Sequence, residues 1–189
     1  MSSHHIVRDK QEPALLILEL EGFNYENLGQ LLEWNPTILV NEPLYEAVDA
    51  MGIKIDGIIS KSIVNPVLQP KTFVIHTEDS PLQDALKYLA GEQYPAVNVI
   101  TNTFSLKDYA LFADRIHIAV LTPSKRIIAV KSGFSKWKTA NEEIEILSEV
   151  RHLNVQGLVR VDDHHYKTEK EGFYSFSFDQ PFIFIAEDL

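Results

Sequence analysis

Two folding patterns in series predict the architecture: a three-layer α/β domain with a mostly parallel sheet over residues 1–122, then a smaller antiparallel all-β domain over residues 123–189. Two observations carry that prediction. Up to Leu121, short β-branched and leucine-rich runs alternate with helical patterns of about ten residues, the rhythm of βαβ units. Beyond Thr122-Pro123-Ser124-Lys125 the spacing of apolar residues changes from helical to alternate, and no helix pattern follows Arg126.

The elements follow in order. Ala14 to Leu20 (ALLILEL) is nearly continuous apolar sequence, as expected of a strand covered on both faces. Leu28, Leu31 and Leu32 share one face of a helix that begins near Asn24 and stops before Pro36. Thr37 to Val40 is a short strand. Pro43 suits a first helical position, with Leu44, Ala47, Val48 and Met51 on one stripe and Gly52 as the stop. Ile53 to Ile59 and Thr72 to His76 are extended, separated by a looser stretch containing Pro66 and Pro70. Ser80, Pro81 and Gln83 form an S-x-x-Q helix start, with Leu82, Ala85, Leu86 and Leu89 as the buried stripe. Strand Ala96 to Ile100, a helix around Leu106, Tyr109, Ala110 and Ala113, and strand Ile116 to Leu121 complete the series. In the second part, Ile144 and Ile146 alternate with glutamates. Tyr174, Phe176 and Phe178 alternate with Phe173, Ser175 and Ser177, and Asp179-Gln180-Pro181 turns the chain into Phe182 to Ile185, predicting a hairpin.

Composition narrows the function. The chain has 189 residues, 45% of them hydrophobic and 23% charged, a globular balance. Its 27 acidic and 17 basic residues give a formal net charge of −10 with no basic run, which disfavours nucleic acid. With no cysteine, disulfides and thiolate metal sites are excluded. The start, Met1 to Arg8, lacks the apolar core of a signal peptide, and no run approaches the ~20 apolar residues of a membrane span. These features predict a cytoplasmic protein.

No P-loop, G-x-G-x-x-G or G-x-S-x-G occurs. Asp162-Asp163-His164-His165 gathers metal-ligating types, but adjacent residues rarely point at one ion, so it reads as a polar turn with a metal site as the alternative. His4-His5 is weaker still, and His76 reads first as a structural histidine. Ligands of parallel α/β sheets collect beyond the carboxyl ends of the strands. There lie Asn41-Glu42, Ser60-Lys61-Ser62, Thr77-Glu78-Asp79-Ser80 and Thr101-Asn102-Thr103. Glu42, Glu78, Asp79 and Asp108 together are candidates for a cation site, against the plainer reading that they are solvated loop and cap residues.

Several segments carry a family resemblance: Ser2 to Ile17, Leu28 to Val40 (LGQLLEWNPTILV), Met51 to Asp56 (MGIKID), Pro95 to Ile100 (PAVNVI), Phe134 to Trp137 (FSKW) and Gly157-Leu158-Val159. In this order they resemble thiamine pyrophosphokinases of the Bacteroidetes type. The resemblance implies an α/β catalytic-type domain, a β-sandwich-like thiamine-binding-type domain, and a homodimer with active sites at the subunit interface. It also implies pyrophosphoryl transfer from ATP to thiamine, with Mg2+ bridging the phosphates.

Against that pattern, the family's Asp-Gly is Glu42-Pro43 here. Its Gly-Asp-Phe/Leu-Asp is Ser60-Lys61-Ser62-Ile63, so both aspartates are gone and one is a cation. The family's Lys-Thr-Asp helix start reads Ser80-Pro81 in a shortened loop, and its Gly-Arg-x-Asp-His leaves only Asp108. What the resemblance assigns is therefore Glu42 and Asp108 as catalytic, Lys61, Ser60, Ser80 and Asn102 as cofactor-binding, and Glu42 and Asp79 as metal ligands. The expectation is a catalytically impaired protein of this type, keeping a thiamine or nucleotide pocket. The alternatives are an active enzyme with substitute metal ligands, using ATP and Mg2+, and a non-catalytic structural homodimer.

Overall fold

A computed structural model describes residues 12–61 and 67–189. By internal contacts the chain divides into Met1–Asn102 and Thr103–Leu189. The sequence reading places the boundary at residue 122, twenty residues later than Asn102.

In the first unit β1 (Ala14–Ile17), β2 (Ile38–Asn41), β3 (Gly57–Ser60), β4 (Phe73–His76) and β5 (Ala96–Ile100) stand in the order β5-β1-β2-β3-β4. All of these neighbours pair in parallel. β1 is buried along its length, as its continuous apolar sequence requires, but it ends at Ile17 rather than Leu20. Helix α1 (Tyr25–Leu32) starts where Asn24 accepts the Glu26 amide at 2.7 Å and buries Leu28. A 3-10 turn over Glu42–Leu44 holds Pro43, and α2 (Tyr45–Ala50) follows it. The buried residues of α2 are Tyr45 and Val48, whereas Ala47 and Met51 of the expected stripe are exposed. The tighter 3-10 start rotates the face that a continuous α-helix from Pro43 would bury. Helix α3 (Pro81–Gly91) matches its sequence signature: Ser80 accepts the Gln83 amide at 3.3 Å, and Ala85, Leu86 and Leu89 are buried.

The second unit holds one short helix, α4 (Leu106–Ala110), and then strands alone among the described residues. The strands are β6 (His117–Leu121), β7 (Lys125–Val130), β8 (Ser135–Lys138), β9 (Glu143–Ile146), β10 (Asn154–Gln156), β11 (Leu158–Arg160), β12 (His165–Thr168), β13 (Gly172–Ser177) and β14 (Ile183–Asp188). One layer runs β11-β12-β9-β14-β7-β6 and a 3-stranded sheet runs β10-β13-β8, with antiparallel pairing in both. β6 pairs antiparallel with β7 across the Thr122–Lys125 turn, which draws it into this unit.

The hairpin expected across Asp179-Gln180-Pro181 does not form. β13 pairs with β10 and β8, whereas β14 pairs with β7 and β9. Tyr174, Phe176 and Phe178 instead face Ile183 and Ile185 through a shared core that includes Val130, Ile144, Ile146 and Tyr166. The same turn residues thus carry the chain from one sheet to the other, where aromatic faces pack instead of backbones pairing. Between β10 and β11, Gly157 has φ +72, and a Cβ there would meet the Phe173 carbonyl oxygen at 2.6 Å. Only glycine combines that backbone with that approach, which accounts for it opening the Gly157-Leu158-Val159 segment.

Candidate functional site

Three of the parallel strands of the first unit end in hydroxyls that are buried: Ser60 as the last residue of β3, Thr77 after β4 and Thr101 after β5. A hydroxyl in that position must find an acceptor, because an unpaired one costs about 1–3 kcal/mol. Each finds a carboxylate. Ser60 Oγ donates to Glu42 Oε2 at 2.7 Å, from the neighbouring strand end. Thr77 Oγ1 donates to Asp84 Oδ2 at 2.8 Å, in the first turn of α3. Thr101 Oγ1 donates to Glu19 Oε2 at 2.8 Å, and the Asn102 amide donates to the same oxygen at 2.7 Å.

Of the expected site residues, Glu42 and Ser60 are therefore brought together, with exposed Lys61 following directly. Asn102 joins this edge through its backbone rather than its side chain. Asp79 is exposed and Ser80 caps α3. Asp108 lies in the first turn of α4, in the second unit. His76 is exposed at the end of β4. Ser62, Ile63 and Pro66, like His4 and His5, lie outside the described residues.

Glu19 and Asp84 were not among the expected site residues. Glu19 falls inside the run taken as strand, although a charged residue in a strand covered on both faces is itself a signal that the strand has ended. Asp84 reads as an ordinary first-turn acid, favoured by the helix dipole, and nothing local shows that it reaches Thr77.

The Thr77 hydroxyl, then Lys87 at 3.0 Å, hold the Asp84 carboxyl below the usual carboxylate range, and the Glu78 amide adds to this. A lowered folded-state pKa contributes stability that is present above the unfolded value and lost as pH falls through the folded value. Thr77→Val is therefore expected to cost about 1–2 kcal/mol at pH 7, the worth of one hydrogen bond to a charged acceptor, and progressively less below about pH 4. Urea unfolding at pH 7 and pH 3 checks this. A cost that stays constant between the two would mean that the Asp84 carboxylate is not the acceptor that matters.

The Asp162–His165 segment is a carboxylate-centred turn. Asp162 Oδ1 accepts the amides of His164 at 2.9 Å and His165 at 2.8 Å, and the His165 ring lies at 2.9 Å. Those amides, then the ring, bring the Asp162 carboxyl down to about 2. Among the described residues no group of three or more His, Asp or Glu side chains is placed to hold a metal ion. No helix among them is long and apolar enough to cross a membrane.

A run of parallel strands with acidic residues at the carboxyl edge, followed by an antiparallel two-sheet unit, defines a mixed α/β protein. No family model matches the chain, and no curated protein matches its sequence. Solved structures do match its fold. The thiamine pyrophosphokinase of Bacillus subtilis superposes with a TM-score of 0.68 at 12% identity, over 93% of this chain and 98% of that one. Yeast thiamin pyrophosphokinase gives 0.66 at 10% identity, over 97% and 88%. The Candida albicans enzyme gives 0.65 at 11%, over 94% and 90%. The chain has the thiamine pyrophosphokinase fold.

Proposed function

We propose that this is a thiamine pyrophosphokinase-like protein whose pyrophosphoryl transfer is impaired and which keeps a pocket for thiamine or a nucleotide at the carboxyl edge of the first unit's strands. The observation that carries this reading is the bond from Ser60 to Glu42, with Lys61 next to it. Transfer from ATP requires carboxylates to hold Mg2+ against the phosphates. The donor set does not fit that ion. Glu42 accepts a buried hydroxyl, Glu19 accepts a hydroxyl and an amide, and a lysine follows β3 where the related enzymes' pattern has an acid. A second reading, an active enzyme using ATP and Mg2+ with Glu42, Glu78, Asp79 and Asp108 as substitute metal ligands, draws on Glu19 and Glu42 following adjacent strands. In either case residues 1–122 supply the catalytic-type part and 123–189 the thiamine-binding-type part, in a cytoplasmic protein. Thermal unfolding with thiamine, thiamine phosphate and ATP, each with and without Mg2+, separates the readings, since a ligand of the native state raises the apparent stability. Stabilisation by thiamine compounds or ATP without product formation supports impairment, and no stabilisation by any of them removes the pocket.

The protein is further proposed to be a homodimer through its second unit. Trp137 is 51% exposed and Phe173 72%, and the two are cross-strand partners on one face of the 3-stranded sheet. Paired aromatics on an open face are the residues that interfaces bury at their centres. Light scattering at micromolar concentration is expected to give the dimer mass, and to give the monomer for Trp137→Ser. A monomeric parent protein would refute the assignment.

A further inference from the structure

The second unit contains a cavity of about 420 Å3, within the range of small-molecule sites. Its floor is Ile146 of β9 and Tyr166 of β12, and its sides are the 148–153 segment and the turn between β11 and β12. Both sides are pinned. The Ile146 amide donates to the His164 carbonyl at 2.8 Å, and Arg160 Nε donates to the Asp162 carbonyl at 2.8 Å. On the opposite side, the Phe184 amide donates to Ser148 Oγ at 2.9 Å and Gln180 Nε2 to the Glu149 carbonyl at 3.0 Å. A cavity held in this way keeps its shape without a ligand, so binding does not require the walls to be ordered.

Tyr166 is only 5% exposed, and its ring belongs to the hydrophobic core. Its hydroxyl has no hydrogen-bond partner among the described residues and is open to water. A phenol oxygen that water reaches can exchange that water for a ligand that offers a donor. At the rim, Arg160 is paired with Asp163 and is thereby neutralised. The Glu149 carboxylate has no ion-pair partner among the described residues. The charge balance of the cavity is therefore negative, with Val150 and Leu153 supplying apolar wall.

We propose that this cavity binds a small organic cation, a protonated amine on a compact apolar body. The ammonium donates to Glu149 and to the Tyr166 hydroxyl oxygen, and the body packs on Val150 and Leu153. An anion would meet the unpaired carboxylate, and a neutral molecule would forgo its attraction.

The test is an NMR titration of the full chain with benzylamine, with benzoate and benzyl alcohol as the anionic and neutral counterparts of similar shape. Benzylamine is expected to move the ring signals of Tyr166 and His164, and to bind at least about tenfold tighter than benzoate. Glu149→Gln and Tyr166→Phe, which keep size and remove charge or hydroxyl, are each expected to weaken it about threefold to tenfold, the range of one hydrogen bond to a charged group at a partly open site. Benzoate binding as tightly as benzylamine, no binding of benzylamine, or binding that both variants leave unchanged overturns the proposal.

Discussion

Glu187→Ala is expected to destabilise the protein by about 3 kcal/mol. Glu187 lies on β14, 2% exposed, in the interior of the second unit. A lone carboxylate there would be too costly to keep ionised, so the chain surrounds it. Tyr174 Oη donates to Oε1 at 2.6 Å, Lys136 pairs with Oε2, and Lys138 Nζ lies at 3.8 Å from the same oxygen. Burial, then the neighbouring Glu187, push the Tyr174 phenol well above its ordinary range, so it remains a donor throughout the working pH range. Removing the carboxylate strands the Tyr174 hydroxyl, which is fully buried, and leaves Lys138, whose side chain is 13% exposed, with Glu142 at 3.5 Å as its remaining pair. Breaking a buried pair from one side costs about 3–5 kcal/mol, and the lower end applies because Lys136, at 33% exposure, can turn to water. Tyr174→Phe should cost less, about 1–2 kcal/mol, since the lysines still neutralise Glu187. Urea unfolding of the two variants measures both. A Glu187→Ala cost below that of Tyr174→Phe would show that the lysines do not depend on the carboxylate.

Incubation with ATP, thiamine and Mg2+ is expected to yield thiamine pyrophosphate no faster than a protein-free control, and Lys61→Asp is expected to leave that result unchanged. The motive is the arrangement around Glu42. Mg2+ demands near-octahedral oxygen ligands and bridges phosphates through the positions that carboxylates leave open. A lysine ammonium supplies a single positive charge and donors, and it coordinates nothing. Lys61→Asp removes the opposing charge but restores only one acid. Glu42 would still be engaged by Ser60, and Ile63 and Pro81 would still stand where the family pattern has acids. Mg2+-dependent turnover by the unaltered protein, abolished by Glu42→Ala, would overturn the impaired reading in favour of the active enzyme.

Much of the fold is legible in the sequence because its signals are local. The Ser80-x-x-Gln83 start predicts α3 and its buried stripe, and the structure has the helix start there and buries Ala85, Leu86 and Leu89 of the stripe, with Leu82 only partly covered. The switch to alternating apolar residues predicts that strands replace helices, and none of the described residues after α4 is helical. The errors arise where a local signal has more than one solution. A turn such as Asp179-Gln180-Pro181 serves a hairpin or a crossing between sheets equally well, and β14 goes to the partner that lets Tyr174 and Phe176 face Ile183 and Ile185. The candidate site is legible only in outline. Glu42 and Ser60 are recognisable as strand-end residues, whereas Glu19 is hidden by a strand that ends sooner than its apolar run.

By itself the sequence determined the order of strands and helices up to Leu121, the acidic character of the loops after the strands, and the absence of thiolate chemistry, because each depends on residue type and short-range spacing. The tertiary structure alone decided which carboxylate answers which hydroxyl: Glu42 to Ser60, Asp84 to Thr77, Glu19 to Thr101. It alone also buried Glu187 against Tyr174. The physical reason is burial. A polar group surrounded by water is satisfied anywhere along the chain, but one removed from water must be matched to a particular partner, and strand pairing brings that partner from a distant part of the sequence.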